Sequence, residues 1–332
     1  MPNLSKAVFF MAGISNTKIS IIGAGQVGAA VGFSLAESAL AQEIVIVDLE
    51  RERAVGAALD IAHGVPTLPP VEVRAGDYGD IADSDLVILT AGAGQKPGED
   101  RRALAGRNRI VVECACREIA RYAPESVLIV VTNPVDMLTS VAVTSSGFEP
   151  WRVIGSGTVL DSLRFRAMIA SHVGVDARDV HAWVLGEHGD SEVPAWSVAR
   201  IGGLSVEEFC RACGDCQAGL EDRLRERFDA EVRNAAYEII RGKGATSHGV
   251  AVAVRRIAEA ILRDEHAVLT VSTRLHGECG IDGVALSLPC VVGSLGVERV
   301  LPLKLDSREQ QALERSAAAI RATSMESELE LV

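Results

Sequence analysis

The turn Gly23-Ala24-Gly25-Gln26-Val27-Gly28 limits what this chain can fold into more than any other segment. It fits the pattern G-x-G-x-x-G. Alone that pattern is weak. Here it follows the apolar run 19–22 (Ile-Ser-Ile-Ile) and opens an Ala-, Val- and Leu-rich stretch at 26–39 that reads as a helix. Between a strand and a helix each glycine has a physical task. The first makes the tight turn, the second lets a pyrophosphate approach the backbone, and the third lets the helix pack on the strand. The helix N-terminus then offers unpaired N–H groups and a positive dipole end to phosphate oxygens. Downstream, the strand 43–47 ends at Asp48. A carboxylate there accepts hydrogen bonds from both adenosine ribose hydroxyls and repels a 2′-phosphate, so the expected cofactor is NAD rather than NADP.

Short apolar strands alternate with helices through the first half. Strands are expected at 19–22, 43–47, 71–74, 86–90 and 127–131. Helices are expected at 26–39, 50–63, 104–122 and 135–145, with a glycine-rich loop at 92–100. That alternation predicts α/β architecture, a Rossmann-type doubly wound parallel sheet covered on both faces. The second half reads as α+β. It has a helix at 160–173, a strand at 180–185, helices at 205–213, 217–240 and 245–262, alternating strands at 266–273 and 284–292, and a closing helix at 307–322. The expected division is an N-terminal arm at 1–16, a cofactor domain at 17–155 and a substrate domain at 156–332. The acidic tail 325–332 is expected to fray.

Charge and cysteine usage exclude several classes. Lys and Arg number 33 against 45 Asp and Glu, a net charge of −12, and the basic residues are scattered. Nucleic acid is therefore not an expected partner, because binding it needs a basic stripe. No apolar run reaches the 18 or so residues of a membrane span. The stretch 7–14 after Lys6 has some character of a signal peptide, but no small-residue cleavage site follows and a strand pattern begins at Lys18. A cytoplasmic location is expected. Seven cysteines, an odd number scattered along the chain, suit free thiols in a reducing compartment. Cys210-x-x-Cys213-x-x-Cys216 has a spacing that can begin an iron–sulfur or zinc site. No fourth ligand follows before Cys279, and the stretch reads as a helix end broken by Gly214, so no metal is expected.

Candidate chemistry lies in the second half. Gly186-Glu187-His188-Gly189-Asp190 follows the strand 180–185, and a histidine between glycines at a strand end is placed for reaction rather than packing. Upstream, Asp161 and Arg164 are three apart in a helix and share a face. An aspartate beside a histidine raises the imidazole pKa and fixes its tautomer. An arginine on the same face can hold a substrate carboxylate with its two-pronged fork. Read alone, the His also has a lesser reading as a packed structural residue, and the Asp–Arg pair one as a surface helix pair worth little.

Taken together, these motifs resemble the lactate/malate dehydrogenase family, most closely its bacterial lactate-specific branch. The resemblance runs from Lys18 to about Ala322. It includes the turn at Gly23, the loop Gly94-Gln95-Lys96-Pro97-Gly98-Glu99-Asp100-Arg101, Thr132-Asn133-Pro134-Val135-Asp136, residues 160–166, residues 186–190 and Lys243-Gly244-Ala245-Thr246, in family order. It implies reversible hydride transfer between NADH and pyruvate, giving L-lactate and NAD in glycolysis and fermentation. By position, His188 would donate and accept the proton, with Asp161 as its partner. Arg164 would clamp the carboxylate. Arg101, on the loop, would polarise the reacting carbonyl. Asn133 would hold that oxygen beside the nicotinamide, and Thr246 would meet the substrate's side group. Gly23, Gly25, Gln26, Val27, Gly28, Asp48, Thr90, Ala91, Gly92 and Asn133 are the candidate cofactor residues.

Gln95 bears on the choice of 2-oxo acid. In the family, arginine at this position selects the second carboxylate of oxaloacetate, and glutamine goes with the methyl of pyruvate. A charge pair at 4 Å and an effective dielectric of ~20 is worth about 4 kcal/mol, roughly a thousandfold. A neutral Gln95 cannot supply it. Two residues depart from the family pattern: Asp100 replaces a small hydroxyl residue, and Arg102 follows Arg101 where leucine is usual. Arg166 and His181 match positions at which bacterial members bind fructose 1,6-bisphosphate across a subunit interface. That implies a homo-oligomer, in the family a tetramer. Alternatives are a malate dehydrogenase, a dehydrogenase for a larger 2-hydroxy acid, an NAD-dependent glycosidase needing a divalent metal, and a non-catalytic thiol or metal-binding protein.

Overall fold

The computed structural model describes residues 17–93, 101–213 and 222–329, with side chains placed at 17–93, 104–212 and 225–327. Along the first half the elements are β1 (Lys18–Ile22), α1 (Gln26–Ala36), β2 (Glu43–Val47), α2 (Arg51–Gly64), β3 (Glu72–Gly76), β4 (Leu86–Leu89), α3 (Arg101–Tyr122), β5 (Val127–Val130), α4 (Val135–Ser146) and β6 (Val153–Gly155). All six strands pair in parallel. They are short and nearly continuous in apolar residues because both faces are covered. Strand periodicity divides them. Ile19, Ile21, Ile44, Ile46, Leu86 and Ile88 pack with residues of α1 and α2 on one face. Ile22, Val45, Val47, Val87 and Leu89 pack with residues of α3 and α4 on the other. Helix α1 stops at Ala36, short of the expected 39, where Ala39 takes a left-handed φ of 56°.

The second half continues with α5 (Val159–Val173), β7 (Val180–His181), β8 (Val184–Leu185), β9 (Val193–Pro194), β10 (Arg200–Ile201), β11 (Leu204–Ser205), α6 (Val206–Cys213), α7 (Asp222–Lys243), α8 (His248–Leu262), β12 (Ala267–His276), β13 (Asp282–Gly293), β14 (Gly296–Val300) and α9 (Ser307–Leu329). The sheet does not end with the cofactor half. Its order is β14-β13-β12-β6-β5-β4-β1-β2-β3. The antiparallel strands β12, β13 and β14 extend it through one register pair, Ser272 with Gly155. The strand expected at 180–185 is two short strands in different sheets. Val180 and His181 pair with β10, whereas Val184 and Leu185 pair with β9. No turn residue separates them in the sequence, but the chain changes partner between them. Helix α9 runs past the expected 322 into the stretch expected to fray; there Ser327 is 2% exposed and its hydroxyl donates to the Ser324 carbonyl. The expected arm at 1–16 lies outside the described residues.

Candidate active site

The glycine turn joins β1 to α1, as expected. Gly23 has φ +111°, and a Cβ there would lie 2.5 Å from the Ala91 nitrogen. A Cβ on Gly28 would lie 1.8 Å from the Gly23 carbonyl oxygen. Both positions therefore exclude any larger residue. Gly25 differs, because a Cβ there would meet nothing within 4 Å. It caps α1 without a side-chain hydrogen bond, so an open space faces uncapped helix amides. These features fit a dinucleotide pyrophosphate. Asp48 stands at the same turn. Its Oδ2 accepts the Ala24 amide at 2.7 Å and its Oδ1 the Glu50 amide at 2.9 Å. Thr90 donates to the Gly23 carbonyl at 2.8 Å, and Thr132 to the Ala91 carbonyl at 2.8 Å. A Cβ on Gly92 would lie 2.5 Å from the Thr132 methyl carbon.

Asn108, a residue that sequence reasoning missed, ties these loops together. It is 1% exposed on α3. It accepts the Ala93 amide at 2.7 Å and donates to the Asn133 carbonyl at 2.8 Å.

Helix α5 brings Asp161 to the turn between β8 and β9 that carries His188. The Ser162 hydroxyl accepts the Val184 amide at 2.9 Å and pairs with the Thr270 hydroxyl at 2.9 Å, pinning α5 to β8 and β12. The Glu187 amide donates to Ser316 of α9 at 2.8 Å. On this scaffold His188 Nδ1 lies 2.6 Å from Asp161 Oδ2, and Arg164 Nη1 donates to Asp161 Oδ1 at 2.7 Å. Asp161 is 1% exposed. Burial works to raise its carboxyl, but the imidazole's charge and hydrogen bond, then those of Arg164, outweigh burial and hold it below its ordinary value. The charge of Asp161, against burial, raises His188 to about 9. The shared face of Asp161 and Arg164 was legible from helical spacing, whereas the pairing of Asp161 with His188 was expected from the family resemblance alone. The structure adds that Arg164 braces the aspartate as well as facing the site.

Two further acids were missed. Asp136, buried on α4, accepts the His188 backbone amide at 2.7 Å, and burial raises its carboxyl to about 6. Glu192 follows His188 by four residues and is 4% exposed. Asp136 stood inside a quoted motif and Glu192 two residues after another, but neither carried a pattern that distinguished it from a surface acid.

A cavity of about 70 Å³ is lined by Val27 of the glycine turn together with Asn133, Arg164, His188 and Thr246. A second, of about 480 Å³, shares Asn133, Arg164 and His188 and adds Asp161, Glu192 and Arg233. Residues from the cofactor half and the acid–base half therefore meet at one place. Gln95 and Asp100 lie outside the described residues. Arg101 and Arg102 open α3, and their side chains lie outside the described ones. Arg166 lies on α5, where its Nη2 donates to the Ala177 carbonyl at 3.2 Å, and His181 is exposed on β7. Cys210 is buried in the cluster around Phe165 and Trp196. The side chains of Cys213 and Cys216 lie outside the described residues.

A dinucleotide turn facing an aspartate-braced histidine and an arginine defines a pyridine-nucleotide-dependent hydroxy-acid oxidoreductase. Residues 17–155 match the lactate/malate dehydrogenase NAD binding domain, and residues 158–330 match the alpha/beta C-terminal domain of the same family. The chain belongs to the lactate/malate dehydrogenase family, and its cofactor is NAD. It is 46% identical over 314 residues to an L-lactate dehydrogenase of Clostridium perfringens, covering 94% of this chain and 98% of that one. It is 48% identical over 309 residues to an L-lactate dehydrogenase of Thermoanaerobacter sp., covering 93% and 98%. Among solved structures, the ligand-bound minor L-lactate dehydrogenase of Enterococcus mundtii superposes with a TM-score of 0.89 at 37% identity, over 93% of this chain and 98% of that one.

Proposed function

We propose that this chain interconverts pyruvate and L-lactate with NADH and NAD. One observation carries the reading: a single buried carboxylate, Asp161, bonds both the His188 imidazole and the Arg164 guanidinium beside a cavity that Val27 of the glycine turn also lines. The relatives named above, all L-lactate dehydrogenases, and Gln95 favour pyruvate over oxaloacetate.

Gly23, Gly25, Gln26, Val27, Gly28, Asp48, Thr90, Ala91, Gly92 and Asn133 would hold the cofactor, which when bound supplies a hydride to the carbonyl carbon of the 2-oxo acid. Arg164 holds the substrate carboxylate. Protonated His188 gives its proton to the oxygen on which negative charge develops, while Asp161 keeps Nδ1 occupied so that Nε2 faces the substrate. Asn133 orients that oxygen, and Arg101 stabilises its charge, a kind of contact typically worth about 3–4 kcal/mol. Gln95 and Thr246 border the substrate's methyl group. In the reverse direction neutral His188 takes the hydroxyl proton.

The domains are 17–155 for cofactor and 156–332 for substrate, after the arm 1–16, in a cytoplasmic homotetramer. Among the described residues no helix is long and apolar enough to cross a membrane. Arg166 and His181 would contribute to a fructose 1,6-bisphosphate site across an interface. The half-buried Arg166, whose Nε has no hydrogen-bond partner, favours this.

The test is a substrate panel with NADH. Pyruvate is expected to give the highest kcat/KM among pyruvate, oxaloacetate, phenylpyruvate and 2-oxoisocaproate. A higher value for oxaloacetate would overturn the assignment. Sedimentation reads the oligomer, and activity at low pyruvate with and without the sugar bisphosphate reads the effector.

A further inference from the structure

Glu192 is an acid of the site that the mechanism above leaves unused. It lies in the turn from β8 to β9, and its Oε1 is buried without a hydrogen-bond partner. Among the described residues it is the only carboxylate oxygen so placed. One polar atom each from Asp161, His188 and Glu192 lies within 4.8 Å of the other two. The charged groups around it come from every neighbouring element. Asp161 and Arg164 face it from α5, Arg233 from α7, Glu187 and Asp190 from its own turn, Asp136 from α4 behind the His188 backbone, and Glu326 from α9 across the cavity. Neither nearby guanidinium neutralises it by a bond. Arg164 is engaged by Asp161, and Arg233 donates to the Glu192 backbone carbonyl at 3.4 Å.

Two carboxyls this close and out of water do not both ionise, because each anion raises the other's pKa. The pair is unequal. Asp161 bonds an imidazole and a guanidinium, and Glu192 bonds neither. The shared proton therefore belongs on Glu192. Burial, and then the charge of Asp161, push its carboxyl well above the carboxylate range.

We propose that Glu192 is a positioning residue for the His188–Asp161 pair, held as a neutral carboxylic acid in the form of the site that reduces a 2-oxo acid. With Glu192 neutral, the cluster of Asp161, Arg164, protonated His188 and Glu192 carries one net positive charge, matching a monoanionic substrate. Ionisation of Glu192 cancels that charge and adds a buried anion facing the incoming carboxylate. Turnover does not consume this proton: reduction uses the hydride and the His188 proton alone. Above neutral pH the site then loses two protons as a linked pair, one from Glu192 and one from His188.

The inference rests on the reaction proposed above, and the experiment separates the two. The pH dependence of kcat/KM for pyruvate is measured at saturating NADH for the parent and for Glu192→Gln. The parent's alkaline limb is expected to be steeper than the loss of one proton. The variant, neutral at every pH, is expected to show a one-proton limb and a KM that rises less with pH. Superimposable profiles would overturn the proposal and leave the lactate reaction standing. Absence of any 2-oxo acid reduction would instead overturn the reaction assignment. Infrared titration without substrate tests the proton directly. Protein labelled with carboxyl-¹³C glutamate is expected to show a shifted protonated-carboxyl band at neutral pH that bleaches on alkalinisation, whereas Asp136 carries no label. A parent protein with no such band refutes a neutral Glu192, whether or not the glutamine variant folds.

Discussion

The backbone amide of His188 is anchored on a buried carboxylate, Asp136 Oδ2, at 2.7 Å. Two aspartates thus fix the histidine from opposite ends, Asp161 through the ring and Asp136 through the chain. Their electrostatics differ in sign. Asp161 is held below its ordinary value, whereas burial raises Asp136 from 3.8 to about 6. A carboxyl whose folded value is raised contributes stability that is fully present below its unfolded value and is lost as pH rises through the folded one. Asp136→Asn, which cannot titrate, is therefore expected to gain on the parent as pH rises from about 4 to about 6, by at most ~3 kcal/mol. Urea denaturation across that range reads the difference. A constant difference would contradict a buried, titrating Asp136.

The role proposed for His188 makes the expected pH dependence directional. In the proposed reaction, reduction needs the imidazolium and oxidation the imidazole. With His188 raised to about 9 by Asp161, kcat/KM for pyruvate is expected to hold through neutral pH and fall through about 9. The value for lactate is expected to rise over the same interval. Asp161→Asn removes the charge that raises His188, so both transitions are expected to move toward about 6.5, the ordinary imidazole value. Identical profiles in the two directions would remove His188 from proton transfer.

The glycine turn separates folding from binding. Gly25 has open space where a Cβ would point, so Gly25→Ala is expected to keep the parent's stability within about 0.5 kcal/mol. Its NADH affinity is expected to fall at least about tenfold. In Gly28→Ala the new carbon would lie 1.8 Å from the Gly23 carbonyl oxygen, so this variant is expected to lose stability itself, by about 3 kcal/mol or more. Calorimetry and fluorescence titration with NADH distinguish the two.

Arg164 is expected to act on substrate and not on cofactor. Arg164→Lys keeps the charge but loses the fork, and kcat/KM for pyruvate is expected to fall by roughly 2–4 kcal/mol. The Kd for NADH is expected to stay unchanged. A loss of NADH binding of similar size would mean that Arg164 serves the fold through Asp161 rather than the substrate.

Asp48 is expected to govern the choice of dinucleotide. Its Oδ2 already holds the Ala24 amide, so the carboxylate stands at the turn itself. Asp48→Ser removes the negative charge, and the preference for NADH over NADPH is expected to shrink at least about tenfold, or ~1.4 kcal/mol. The ratio of kcat/KM for the two coenzymes measures it.

The parts legible in the sequence were those where local chemistry and global fold agree. Strand β1 and the glycine turn could be read because apolar residues, turn glycines and a helix pattern follow one another within ten or so positions. The Asp161–Arg164 face could be read from helical spacing. What remained hidden depends on contacts distant in sequence. Glu192 and Asn108 look like ordinary polar residues until α7 and the loops that carry Ala93 and Asn133 close over them. Strand β6 has only three residues, too few for periodicity. The break after His181 was invisible because no glycine, proline or other turn residue interrupts 180–185. The different partners of the two strands, β10 and β9, set it.

Gly186 immediately precedes the turn that bears the imidazole, and a methyl group added there would come within 2.6 Å of the Ser316 hydroxyl oxygen. Helix α9 thus rests directly on the reactive loop with no slack between them. The turn that bears the ring is consequently tied to a 23-residue helix as well as to Asp161 and Asp136. A shift of that helix against α3 and α4, on which it packs, would therefore be carried to the imidazole-bearing turn.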